Sequence, residues 1–424
     1  MNRCHRRAAS LAATALLTAA CASAPATGRT ATPAAAPAPA VASTAWGVVT
    51  DGGVALVDAR GATLFEASPA VATPDGRTVV ATVVATATDG ARTSVQWLDG
   101  ATGTVEDMVE VPGRFRPAVV AADGDRVALV GVDDRGAPPR DPRYLAPGRS
   151  TTTLAVVTRD GTTQRDTLAG NAVPEAFTQF GALALVEYLP PLAPDRYRVR
   201  LYRLETGAVD LPVSWTDKGA SVDEEMQGYS RTHVPAPDGT ALFTLYAQPG
   251  GDGAGHAFIH VLGLDLGRVY CLDLPIEAGF GQHPGALAAA PDSGTLYALS
   301  GSGRLVEMAT RIANVADPTP PTVVRTIDLG QAGDDPGPTV TVDDTTVYAA
   351  VGATLVTVDR RTGLVTSRRH LDTTVTAMRA TPGELQLAGG GWLLQRRAGD
   401  DRLERTPLAL SPDLGAVRAL YRVG

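Results

Sequence analysis

Residues 230–246 read S-R-T-H-V-P-A-P-D-G-T-A-L-F-T-L-Y, and residues 256–275 read H-A-F-I-H-V-L-G-L-D-L-G-R-V-Y-C-L-D-L-P. Four short apolar runs are joined by tight turns, two of them Pro237-Asp238-Gly239 and Leu264-Asp265-Leu266-Gly267. In such turns Asp accepts local backbone hydrogen bonds and Gly takes the positive φ that other residues resist. The stretch predicts a four-stranded antiparallel meander.

Weaker copies of this unit fill the chain from Trp46 onward. A turn of the form apolar-Asp-x-x-Thr-Gly, or a degenerate of it, ends at Gly61, Gly103, Gly161, Gly207, Gly267, Gly363 and Gly399. The gap from Gly267 to Gly363 is a double step, with one copy lost in the irregular stretch from Ala309 to Val323, so the period averages roughly 48 residues. A second marker keeps phase with the first: Pro74-Asp75-Gly76, Ala122-Asp123-Gly124, Pro237-Asp238-Gly239, Pro291-Asp292-Ser293-Gly294 and Thr381-Pro382-Gly383. No run shows sustained helical spacing. Tyr197 to Leu201 alternate apolar and polar, which predicts one exposed sheet face, whereas Thr78 to Ala85 are almost continuously apolar, which predicts cover on both faces. A period of 40–50 residues with four strands per unit is the signature of a β-propeller.

These turns resemble the repeats of the YVTN-type and TolB-type bacterial propellers over most of residues 46–424. The block from Glu224 to Pro275 also resembles a segment of exported propeller proteins of high-GC bacteria. The resemblance implies architecture; some YVTN-like propellers are enzymes, which leaves a lactonase-like or other hydrolase as an alternative. Trp46–Thr50, Val54–Asp58 and Thr63–Ala67 read as strands two, three and four of a blade lacking its first, and Val417–Val423 as a lone first strand. Joining them closes the ring and removes two sheet edges. The expected fold is therefore all-β: a single propeller of four-stranded antiparallel blades, eight by count, with seven as the fallback.

The N-terminus gives an expected address. Residues 1–20 carry Arg3, Arg6 and Arg7 and a short apolar run, the pattern of a signal peptide. Leu17-Thr18-Ala19-Ala20-Cys21 resembles a bacterial lipobox, which implies that Cys21 is lipidated and anchors the chain to a membrane on the extracytoplasmic side. An ordinary signal-peptide cut near Ala22 is the alternative. Ala22–Thr44 are almost only Ala, Pro, Thr and Ser, a tether that cannot bury a core. The expected domains are 1–20 signal peptide, 21–45 lipidated cysteine and tether, and 46–424 propeller. The formal net charge is −8, and no basic stripe suggests nucleic acid. Cys271 has no disulfide partner once Cys4 and Cys21 are assigned to the leader and the anchor, and its strand-like setting predicts a buried thiol.

Five long segments mark a candidate functional face. Asp133–Arg149, Pro190–Asp195 and Pro249–Gly255 read as loops between second and third strands, and Thr216–Tyr229 and Ala278–His283 as links between blades. Both classes leave a propeller at one end; only Arg311–Pro321 belongs to the other. Binding residues concentrate on loops held by a rigid scaffold. The candidate residues are Glu224, Glu225, Tyr229, Arg231, His233, Asp252, His256 and His283. His256 and His260 share one side of a strand but stand ~13 Å apart, too far to share a metal. His260 reads as a satisfied strand histidine. Asp133-Asp134, Asp334-Asp335 and Asp343-Asp344 lack calcium-loop spacing and read as solvated turns. No motif implies a metal, a cofactor or a catalytic set. The expected role is a binding or scaffold module for a protein, peptide or glycan partner in the envelope. A sensory or accessory subunit in envelope assembly is a third reading.

Overall fold

A computed structural model describes residues 45–87, 90–132, 148–210, 213–216, 219–222, 225–248, 255–281, 285–310, 321–330, 337–396 and 402–423. The signal peptide, Cys21 and the tether lie outside them, as do Glu224, Asp252 and His283.

Eight antiparallel sheets form the ring of a β-propeller. Blade 1 is composite: from the axis outward it runs Val417–Val423, Ala45–Thr50, Val54–Val57 and Thr63–Ala67. The C-terminal strand pairs antiparallel with the first described strand, Trp46 opposite Arg422 and Val48 opposite Leu420. Blades 2–8 follow at residues 70–112, 115–169, 171–210, 229–273, 285–328, 339–370 and 377–407. The lost turn marker falls in blade 6, between Arg304–Ala309 and Thr322–Asp328, which still pair.

Burial explains the two kinds of apolar pattern. Middle strands such as Ala241–Gln248 and His256–Gly263 are buried almost throughout, whereas outermost strands such as Thr163–Ala169 and Thr322–Asp328 are buried nowhere. Among the described residues most buried apolar side chains fall into eight clusters, and each cluster straddles one seam between neighbouring blades. A single blade cannot hide both of its faces; a closed ring hides all of them. At the seam of blades 1 and 2, Tyr421 packs with Val79, Ala81 and Leu98. Its ring lies where Gly47 and Gly76 would carry side chains, since a Cβ on either would stand 1.9 Å from a ring carbon.

Several of the repeat markers are themselves seam contacts. Gly61, Gly103 and Gly363 have φ of 78°, 71° and 72°. A Cβ on each would strike the outermost strand of the preceding blade: Pro407 O at 1.7 Å, Phe65 at 2.3 Å and Arg325 at 2.7 Å respectively. Glycine is thus required twice over, for backbone conformation and for close approach. In the second marker, Gly124 O accepts a hydrogen bond from Trp97 Nε1 of blade 2 at 2.9 Å.

Several features depart from the sequence reading. The link after blade 4 is partly a hairpin, Val213–Thr216 with Gly219–Val222, and it adds to the rim of blade 5 by parallel pairing with Arg268–Asp273, giving a six-stranded sheet. The alternation of Tyr197 to Leu201 does not mark an exposed face. Arg198 and Arg200 are largely buried and both donate to Glu187 Oε2 at 2.7 Å. Burial alone would raise the Glu187 pKa, but the two guanidiniums hold it below the ordinary carboxylate value. Asp343 is buried rather than solvated. Its Oδ1 accepts from the backbone N–H of Thr345 and Thr346, so it organises the turn from inside. Cys271 is exposed, not buried, because it sits on the rim strand of its blade, one residue beyond the pairing with the hairpin at Tyr270.

Candidate functional face

The five predicted segments all connect strands at one end of the propeller. They join the second and third strands of blades 3, 4 and 5, and link blade 4 to 5 and blade 5 to 6. Their described parts touch one another. Arg149 N donates to Pro191 O at 2.9 Å, and Asn171 Nδ2, at the start of blade 4, donates to the same carbonyl at 3.1 Å. A Cβ on Gly148 would lie 2.3 Å from Leu192 O. Residues 190–195 thus close against the end of the blade 3 loop.

The arc continues into blade 5. Met226 exchanges both backbone hydrogen bonds with Tyr197, at 2.8 and 2.9 Å, which lays the link over the third strand of blade 4. Beside it Glu225 Oε2 meets Arg196 Nε at 2.8 Å, and Gln227 Oε1 accepts from Gln248 Nε2 at 2.8 Å. Gln248 stands opposite His256, whose Nε2 is 3.2 Å from Asp273 Oδ1. A Cβ on Gly281 would lie 2.5 Å from the Gly255 Cα, so the next link packs backbone to backbone on the blade 5 loop. That link carries a 3-10 turn, Ile276–Ala278, and Ser302 of blade 6 donates to Ala278 O at 2.8 Å.

Of the candidate residues, Glu225, Tyr229 and His256 therefore share this arc, with half-buried Tyr229 opposite Ala247. Arg231 is the extra residue of a β-bulge between Ser230 and Thr232. His233 does not join the arc. It stands exposed, further along the innermost strand, opposite Thr244. His260 departs from its reading too: it is 3% exposed and its Nε2 is buried without a hydrogen-bond partner. Among the described residues no three His, Cys, Asp or Glu side chains converge on a metal position.

The sequence reading missed the seam beneath the arc. The rings of Tyr197 and Tyr246 stack at 4.2 Å, and His260 meets both edge-on at 6.4 and 6.1 Å. Burial lowers the His260 pKa to about 4 and keeps the imidazole neutral. Glu175, the bulged residue between Pro174 and Ala176 on the innermost strand of blade 4, is half-buried, and burial raises its carboxyl to about 7. These residues come from different blades, so no local spacing announces them; only a polar residue inside an apolar strand could have drawn notice.

The opposite end holds an open cleft of about 630 Å³ between blades 6 and 7, lined by Tyr297, Glu307, Arg325, Asp344, Asp359 and Arg360 among others. Two of its three arginines are already engaged. Arg325 holds Glu307 at 2.6 Å and the Arg360 carbonyl at 2.5 Å, and Arg360 holds Asp292. This cleft reads as a clamp between blades.

Neither a protein-family model nor a curated protein matches the chain. Its fold is similar to that of apo AztD from Citrobacter koseri, with a TM-score of 0.50 at 11% identity over 90% of this chain and 98% of that one. It is also similar to the dihydro-heme d1 dehydrogenase NirN in complex with DHE, with a TM-score of 0.51 at 13% identity over 92% of this chain and 77% of that one. At such identities the likeness defines a β-propeller and carries no activity across.

Proposed function

We propose that this chain is a membrane-tethered extracytoplasmic β-propeller that captures a protein, peptide or glycan partner on the arc formed by blades 3–5. One observation carries the reading: every long segment of these blades leaves the same end, and the described parts touch in an unbroken series from Arg149 to Ser302. Closing a propeller needs only short turns there, and ordering extra chain costs entropy, so the added length is best explained by use. The arc is held by its own contacts, as a preorganised binding surface would be. The lipobox-like run ending at Cys21 supports anchoring, and the Ala/Pro/Thr tether supports a body held away from the membrane.

The hydrolase alternative asks for His, Glu and Arg converging on one reacting centre. Here Glu225 is engaged by Arg196 and His256 by Asp273, while His260 is buried in a seam. This arrangement favours binding. The test is partner capture by cross-linking in the envelope. Trimming 133–149, or replacing Glu224, Glu225, Arg231 and His233 together with Ala, should abolish capture while leaving the thermal midpoint within a few degrees, since each surface change costs about 0.5 kcal/mol or less. Capture that survives both changes would overturn the reading. Cys21→Ala should release the chain from membranes; retention after a carbonate wash would refute the anchor.

A further inference from the structure

The seam of blades 4 and 5 brings together three side chains that the binding reading does not use: Cys271, Met226 and His260. Cys271 Sγ lies 3.9 Å from Met226 Sδ. Cys271 and His260 are directly opposite in the antiparallel register, so their Cβ atoms stand about 4.5–5.5 Å apart on one face of the sheet. That face turns toward blade 4, because Leu242, Tyr246, Phe258 and Leu262 in the same alternation pack with Tyr197, Val199 and Leu201. Met226 reaches the same place from the other side, fixed through its two backbone hydrogen bonds to Tyr197, whose ring meets His260 edge-on. Independently of the thiol, the His260 Nε2 is buried with no hydrogen-bond partner, so its desolvation is uncompensated in the protein alone.

We infer that Cys271, Met226 and His260 form a binding site for a single copper(I) ion. Two sulfurs each about 2.3 Å from one ion, at a trigonal or tetrahedral angle, are separated by about 3.8–4.0 Å, and the observed spacing falls there. Thiolate, thioether and imidazole together are a soft donor set, of the kind that takes copper(I). Charge agrees. On binding, the Cys271 thiol releases its proton and the thiolate cancels the single positive charge of the ion. A divalent ion would leave a net charge against a wall made by Tyr197, Tyr246 and Phe258, where an unpaired charge is costly. The exposed Cys271 gives the ion a route in from the rim, while the buried imidazole closes the inner side. The site stands whether or not the arc captures a partner, although Met226 lies between the arc residues Glu225 and Gln227 and ties the two together.

The test uses the full chain with Cys4→Ser and Cys21→Ser, which leaves Cys271 as the sole thiol. The reduced protein is titrated anaerobically with copper(I) in competition with a chromogenic chelator, and the coordination shell is read by X-ray absorption. The expected result is one ion per chain with two sulfur ligands and one nitrogen ligand. Met226→Leu, a change that conserves volume and so keeps the fold, should weaken binding by about tenfold or more, and Cys271→Ser should weaken it further. Unchanged affinity in Met226→Leu, a shell lacking the nitrogen or the second sulfur, or no binding at all would each overturn the assignment.

Discussion

Gly363 and Met226 stand at opposite ends of the propeller and show how differently the two ends are made. Gly363 closes a repeated turn against Arg325 of the blade before it, and its neighbours Arg360 and Asp359 are committed to that seam or to the turn itself. Short, stereotyped connections there hold the ring together. Met226 lies in a long connection whose contacts, among the described residues, are private to blades 4 and 5. One end repeats because ring closure recurs from seam to seam; the other varies because closure asks nothing of it. Sequence irregularity at one end of a regular fold thus points to where binding is free to evolve.

The strongest way to break this comparison is to open the ring. Deleting 417–424 removes the strand opposite Ala45–Thr50, together with buried Val417, Leu420 and Tyr421. Each large buried side chain contributes about 2–5 kcal/mol, so the loss rivals the whole stability of a domain. The truncated chain should show no cooperative thermal transition near the native midpoint; an unchanged midpoint would mean that the C-terminal strand does not close blade 1.

A graded test uses the repeated glycines. Gly61→Ala places a Cβ 1.7 Å from a backbone oxygen, Gly363→Ala places one 2.7 Å from a flexible guanidinium, and Gly161→Ala meets nothing within 4 Å. All three sit at positive φ. Strain alone costs about 1–2 kcal/mol and a forced clash about 1–3 more. Denaturant midpoints should therefore fall most in Gly61→Ala, less in Gly363→Ala and least in Gly161→Ala. Equal losses would show that the turn conformation matters and the seam contact does not.

The seam of blades 4 and 5 supplies a finer contrast. His260, with its pKa lowered from 6.5 to about 4, costs stability as pH falls through that interval. Glu175, raised from 4.5 to about 7, costs stability as pH rises through its own. A tenfold change in proton affinity corresponds to about 1.36 kcal/mol, so each group is worth at most about 3 kcal/mol, and Glu175 less, because water still reaches its side chain. Between pH 4.5 and 6.5 the two oppose each other. Relative to the native protein, Glu175→Gln should make stability rise more with pH in this window, and His260→Gln should make it fall. Slopes of the same sign in both variants would refute the opposed pair.

The fold was legible because its markers are local. Asp-x-x-Thr-Gly and Pro-Asp-Gly turns fix strand phase within a few residues, and phase alone assigned each long segment to its end and the C-terminal strand to blade 1. What escaped notice was tertiary. The hairpin 213–222 adds to a rim by parallel pairing, which no turn announces. Asp343 and the Arg198–Glu187–Arg200 cluster look like surface in sequence, yet they are largely buried and engaged within their own blades. The Tyr197–Tyr246–His260 contacts join residues far apart in sequence, and nothing in their spacing foretells them.

The most direct test of the proposed binding face compares two leucines of similar exposure. Leu192, 61% exposed, lies in the long-connection arc, and Leu364, 66% exposed, lies in a repeated turn at the other end. Each is replaced in turn by a photo-crosslinking amino acid and irradiated in intact cells. Adducts from position 192 and none from position 364 are the predicted result; adducts from 364 alone, or equally from both, would contradict a binding surface at the long-connection end.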